Sequence, residues 1–285
     1  MTTPMAERDA RPNMDRDVVQ GFGDEWSRFD QSALTGDEYA EVFDDYFHIF
    51  PWESLSPEAE GFDLGCGSGR WARNVAPRVG RLHCVDASAD ALHVAERNLS
   101  GCVNVQFHCA SVDRLPFPDA SMDFGYCLGV LHHIPDTEGG LQRATAKLKR
   151  GSPFLLYIYY AMDNKPAWYR GVWKASEMVR HVVSRSPLRL RYILSQLLAI
   201  VVYLPLARLA KLGDRLGMDV RSFPLAVYRN RSFYVMRTDA LDRFGTRLEQ
   251  RFSRAQIGAM MTRAGLADIR FSERAPFWCA MGRKV

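Results

Sequence analysis

Between residues 60 and 160, short apolar runs alternate with amphipathic stretches. The runs at 61–64, 81–85, 105–109, 124–128 and 154–159 have strand length. The turn signal Pro118-Asp119 precedes the fourth. Segments 70–76, 89–98 and 137–149 read as helices, the first stopped by Pro77 and the last closed by Gly151. The alternation resumes late. Ser253 is an N-cap signal, Ile257, Met260 and Met261 mark a helix over 253–264, and Gly265 ends it. Strands at 267–271 and 276–281 follow. This order predicts an α/β fold with a Rossmann-like, seven-stranded, mostly parallel sheet and helices on both faces. Ligands of such sheets lie beyond the C-terminal strand ends.

The flanking segments differ. Residues 1–16 are polar and charged, carry Pro4 and Pro12, and read as a loose tail without a secretory leader. Two aromatic helices are predicted at 22–34 and 37–50, the second stopped by Pro51. Most of their rings suit packing; Trp26, beside Gly21 and Gly23, also suits a cover over a cleft or a contact to substrate. About ninety residues separate the strand at 154–159 from the helix at 253–264, with helical stretches at 167–183 and 188–212. A connection that long should be folded and functional. The chain thus divides into a tail (1–16), cap helices and the first part of the core (17–160), a helical, aromatic insertion over the acceptor side (161–250), and the end of the core (251–285).

Charge sharpens that division. The whole chain is +4, too mild an excess to imply nucleic acid, yet thirteen Lys or Arg against three acids fall between Lys165 and Arg231. Within 188–212, sixteen consecutive uncharged residues between Arg191 and Arg208 fall short of the ~20 needed to span a bilayer, and Pro205 should interrupt them. Three roles are open to this stretch: a core helix, a hydrophobic substrate pocket or homodimer face, and peripheral contact with a membrane surface. Six cysteines without a C-x-x-C pair read as reduced thiols of a cytoplasmic protein.

The chemistry-bearing segment is Asp63-Leu-Gly-Cys-Gly-Ser-Gly-Arg70, between a strand and a helix. Its glycines allow a sharp turn and close approach of a ligand to the backbone. Arg70 stands where a dinucleotide loop carries glycine or alanine, which disfavours pyrophosphate and an NAD(P)-linked oxidoreductase. Asp86 ends the next strand, where a carboxylate can accept from both ribose hydroxyls of a nucleoside.

With DLGCGSGRWA at 63–72, CVDAS at 84–88 and LPFPDASMDFGYCLGVLHHIPD at 115–136, the chain resembles the class I S-adenosylmethionine-dependent methyltransferases. The resemblance points to the small-molecule group typified by ubiquinone and menaquinone biosynthesis enzymes, and it covers roughly 60–160. It implies S-adenosyl-L-methionine as cofactor and S-adenosyl-L-homocysteine as product. Gly65, Cys66, Gly67 and Gly69 would wall the methionine part, with Asp63 orienting the loop or reaching the ammonium. Asp86 would bind ribose; Ala87, Ser88, Ser111 and Val112 would meet adenine; Leu128 and Gly129 would lie near the methyl. The family's aspartate before LPF is replaced by Ser111.

Past the methyl, His132 and His133 are candidates for a base or for shaping the site, with no third group at metal-ligand spacing. Tyr159 and Tyr160 are candidates to face the methyl, and Arg170, Arg229 and Arg231 to hold an anionic substrate group. The acceptor implied is a small lipophilic or aromatic metabolite. A macromolecule-directed methyltransferase and a noncatalytic cofactor-binding partner are the alternatives.

Overall fold

The computed structural model describes residues 13–220 and 222–285. Seven strands form one sheet: β1 (Glu60–Leu64), β2 (Arg81–Asp86), β3 (Val105–Cys109), β4 (Phe124–Leu128), β5 (Pro153–Tyr157), β6 (Leu266–Phe271) and β7 (Ala280–Lys284). Their order is β3-β2-β1-β4-β5-β7-β6, parallel except for β7, which runs antiparallel to both neighbours. The α/β expectation holds. The order reverses between β1 and β4, so the ends of these two strands open a crevice for a ligand.

Each face of the sheet carries its own core. Phe62, Leu64, Val85, Leu141 and Ile257 fill one; Phe47, Trp71, Leu82, Leu92 and Tyr126 fill the other. Gly125 in β4 lies under the rings of Phe62 and Phe154, both fully buried. A Cβ there would stand 2.6 Å from Phe62. We therefore expect Gly125→Ala to destabilise the fold by about 1–3 kcal/mol, the scale of overpacking a tight core. Denaturant titration against wild type checks this.

Among the helices, α1 (Arg16–Arg28) and α2 (Gly36–Phe47) precede the sheet. The first sits six residues before its predicted place. The Asp15 side chain caps it by accepting from the N–H groups of Asp17 and Val18, and Phe29, expected inside, closes it. The expected loose tail also ends early. Asn13 is buried and its side chain is hydrogen-bonded to both backbone groups of Asp136, at 2.8 Å each. Residues 1–12 lie outside the described residues. The helix expected at 70–76 shrinks to α3 (Ala72–Val75), followed by a tight turn at Ala76–Arg78. The last strand forms four residues later than predicted, because Phe277 and Trp278 pack their rings in the preceding loop. α4 (Ala89–Asn98) and α5 (Thr137–Ala146) follow the sequence pattern.

The insertion holds α6 (Ala167–Val183), α7 (Leu188–Leu198), α8 (Leu204–Arg215) and α9 (Phe233–Gly245), before α10 (Arg254–Arg263) returns to the sheet. Ser253 and Gln256 cap α10 reciprocally. Pro205 does not interrupt the apolar stretch. A wide π-helical turn at Ala199–Tyr203 joins α7 to α8, and Pro205 stands in the first turn after it, where its missing N–H is tolerated. The result is one helix of 28 residues, long and apolar enough by length and composition to cross a membrane. Its inner face packs Ala199, Tyr203 and Ala207 against Met236, Ala240 and Phe244 of α9. The sequence pattern did not yield α9, although Met236, Ala240, Leu241 and Phe244 recur at helical spacing.

Candidate active site

The loop after β1 is held from three sides. The N–H groups of Gly65 and Cys66 both reach the Val85 carbonyl, at 2.7 and 3.0 Å. Asp86 Oδ2 accepts from Gly67 N–H at 2.9 Å, and its Oδ1 accepts from Ser88 N–H at 2.8 Å. Asn98 donates to the Ser68 carbonyl at 2.8 Å. Gly65 adopts φ +76°, and a Cβ there would sit 2.3 Å from Val130. At Gly67, with φ +54°, a Cβ would meet the Trp26 indole at 2.8 Å. Only glycine satisfies both the backbone and the space at these two positions.

This loop forms one wall of a cleft. Of the residues singled out by sequence, Gly65, Cys66, Asp86, Ala87, Ser111, Val112, Leu128, Gly129, Trp26 and His133 all line it. Gly67 lies under Trp26. Ser88 is buried as the N-cap of α4. Gly69 packs against Leu99 and Ala95 on the helix side of the loop. The cover expected at Trp26 starts earlier in the chain: Asn13, Met14, Asp15, Val18 and Phe22 also line the cleft from the N-terminal side.

Asp63, expected at the cofactor, is instead completely buried beside Cys66, Cys84 and Tyr126 and does not line the cleft. Burial pushes its carboxyl well above the usual aspartate range, partly offset by the Tyr126 hydroxyl. Burial also raises Asp86, opposed by the N–H groups it accepts.

The two histidines separate. His133 lines the cleft; His132 is fully buried behind it, with its ring 4.0 Å from that of Tyr159. Burial, followed by the neighbouring His133, holds His132 well below the usual imidazole range, so it is neutral. His133 Nδ1 lies 2.7 Å from the Leu248 carbonyl, which only accepts, so that nitrogen carries the proton. Nε2 then lies without a hydrogen-bond partner, 3.8 Å from Asp242 Oδ1.

Asp242, which the sequence reading missed, stands beside His133 in a cluster of buried acids and tyrosines. It stands on α9 with Asp239 one turn before it, and the Tyr159 hydroxyl donates to it. Asp242 keeps 23% of its side-chain surface accessible. Burial nevertheless comes first among the causes that raise its carboxyl, with the His133 charge opposing. Burial pushes Asp239 up to about 6, the Arg70 charge opposing. Glu25, buried on α1, is pushed well above its usual range by burial and then by the charges of Asp242 and Asp239. Arg70, whose guanidinium lies 4.2 Å from the Trp71 ring centre, tempers all three acids. Tyr157 and Tyr159 stand at the end of β5, beside Leu128 and Gly129.

The other substrate candidates sit elsewhere. Tyr160 turns to Phe277 and Trp278. Arg170 is exposed on α6. Arg229 pairs with Asp214, and Arg231 with Glu41 and Asp45. These three arginines therefore supply no anion site beside His133. Among the described residues, no three His, Cys, Asp or Glu side chains are grouped to hold a metal. All six cysteines are free thiols, Cys66, Cys84, Cys127 and Cys279 buried.

Residues 62–151 match the methyltransferase domain family. Along nearly its whole length, the chain superposes on DhpI, solved in complex with S-adenosylhomocysteine, with a TM-score of 0.55 at 15% identity, covering 95% of this chain and 97% of that one. The CurJ carbon methyltransferase gives 0.55 at 10% identity, over 95% and 61%. The fold is that of a class I methyltransferase. An uncharacterized methyltransferase of Bacillus subtilis, YcgJ, is 33% identical over 36% of this chain and 41% of its own length. A ubiquinone biosynthesis O-methyltransferase of Chromobacterium violaceum is 28% identical over 37% and 44%. Each match to these two relatives therefore spans less than half of the relative.

Proposed function

We propose that this protein transfers a methyl group from S-adenosyl-L-methionine to a small, lipophilic or aromatic acceptor held beside His133 and α9. The observation that carries this reading is the continuity of the site. The cleft runs from Asp86 past the glycine loop to Leu128, Gly129 and His133, and Asp242, which accepts from the Tyr159 hydroxyl, lies 3.8 Å from His133 Nε2.

The residues present fit the cofactor. The glycine cradle leaves no room for a Cβ at Gly65 or Gly67. Asp86 keeps lone pairs free for ribose hydroxyls beside the N–H groups it already accepts. Ala87, Ser111 and Val112 would flank the base. When bound, the cofactor supplies an electrophilic methyl on a sulfonium.

The chain's own contribution is then positioning and proton acceptance. Holding acceptor and methyl together lowers the barrier by converting a bimolecular step into an intramolecular one. The Asp242–His133 pair takes the proton from an acceptor O–H or N–H as the new bond to carbon forms. Trp26 and the N-terminal roof keep bulk water from the site. The ubiquinone O-methyltransferase relatives favour an aromatic hydroxyl as acceptor, whereas a macromolecule would have to pass the roof at Asn13–Val18.

Calorimetry with S-adenosylhomocysteine tests the cofactor half of this reading, and transfer of labelled methyl to a panel of phenols and amines tests turnover. Binding of a nicotinamide dinucleotide in place of S-adenosylhomocysteine would overturn it.

A further inference from the structure

All but three of the large apolar side chains that the described residues leave exposed fall between Trp168 and Met218. Along α7 and into the wide turn after it they recur as Leu190, Ile193, Leu197 and Ile200, a stripe along one side of the helix. At 3.6 residues per turn this stripe would next fall on Arg208, Lys211 and Arg215. It does not, because the wide turn at Ala199–Tyr203 takes up one extra residue. The stripe continues instead on Leu209, Leu212 and Leu216, each more than half exposed, and the cations stand beside it. The neighbouring α6 exposes Val172, Met178 and Val182 as well, with Lys174 and Arg170 on its surface.

We propose that this face of α6, α7 and α8 seats the protein on an anionic phospholipid surface. Charge complementarity selects that occupant. The segment from Lys165 to Arg231 holds thirteen Lys or Arg against three acids, and Arg189, Arg208 and Arg215 are exposed beside the stripe. Apolar stripes rimmed by cations match a bilayer interface, where side chains enter the acyl boundary and guanidinium groups meet phosphates. A second copy would bring the same cations against each other. Spanning is disfavoured despite the helix length: the opposite face is packed on α9 through Tyr203, Ala207, Met236 and Phe244. Only one face of the helix is free to enter lipid.

The experiment is flotation of the full chain with vesicles of phosphatidylcholine alone and of phosphatidylcholine with about one third phosphatidylglycerol. The protein should float with the anionic vesicles, and rising salt should weaken binding. The variant I193E/L197E/I200E should lose more than about tenfold in vesicle partition. An unchanged affinity for S-adenosylhomocysteine would show that it is folded. R189E/R208E/R215E should lose binding to anionic vesicles without altering the apolar stripe. Failure of the wild-type chain to float overturns the proposal. So does a dimer, seen by light scattering at micromolar concentration, that the triple glutamate variant dissociates, since the face would then be an interface between copies. Neither result bears on cofactor binding.

Discussion

Asp242→Asn is expected to lower methyl-transfer turnover by about 10²–10⁴-fold, the usual contribution of a positioned general base, while affinity for S-adenosylhomocysteine changes by less than about 0.5 kcal/mol. The reasoning starts at the Leu248 carbonyl. It fixes the proton of His133 on Nδ1 and leaves Nε2 facing Asp242 at 3.8 Å. The Tyr159 hydroxyl donates to the same carboxylate and so orients it. An asparagine keeps the shape but cannot take up a proton. Burial raises Asp242 above the ordinary aspartate range, so the basic form is lost, and turnover with it, as pH falls through that raised value. The acid limb of the rate profile should therefore lie above the ordinary aspartate range and should be displaced or absent in the variant.

Stability should move the opposite way. An unfolded aspartate releases its proton at the ordinary value, whereas folded Asp242 holds it to higher pH. Between those values the folded state binds more protons, so stability falls as pH rises. Asp242→Asn removes that dependence and should melt higher than wild type at neutral pH. Full activity with an unshifted acid limb would refute the base assignment; thermal scans across the same pH range check the second half.

Asp86→Ala is expected to weaken S-adenosylhomocysteine binding by about 1–3 kcal/mol, the scale of lost charge-assisted hydrogen bonds. Asp86 acts twice. It lines the cleft where ribose hydroxyls would meet it, and it already accepts from the N–H groups of Gly67 and Ser88. Alanine thus removes a binding group and releases the loop that the ligand rests on. Isothermal calorimetry decides it, and equal affinities for the two proteins would show that Asp86 serves the fold alone.

The cofactor side was legible because local sequence determines it. Positive φ at Gly65 and Gly67 demands glycine, and a strand-end carboxylate has few other uses, so DLGCGSG and Asp86 could be read directly. The sheet was legible for the same reason: each strand carries its own apolar signal. The acceptor side was not. Asp239 and Asp242 join the buried cluster beside His133 only because α9 packs on the long helix of the insertion and on α1, a contact between segments about two hundred residues apart. No local pattern marks such a residue as functional. The three arginines misled for the complementary reason. Their fork suits an anionic ligand, but tertiary structure supplies Asp214, Glu41 and Asp45 for two of them and leaves the third in solvent. The offset of α1 came from a missed cap: aromatic spacing gave its face, and Asp15 set its start.

Asn13 ties the beginning of the described chain to two segments beside the cleft. Its backbone N–H donates to Asp113, and its side chain holds both backbone groups of Asp136. Molecules enclosed under Asn13–Val18 leave by way of a segment anchored through one residue's hydrogen bonds. The dwell time of product is then linked to the fraying rate of that anchor. Fast anchoring and slow fraying would make release, instead of chemistry, the slow step of each cycle. In such a regime, loosening the N-terminus by Asn13→Ala would quicken steady-state turnover even as it weakened binding.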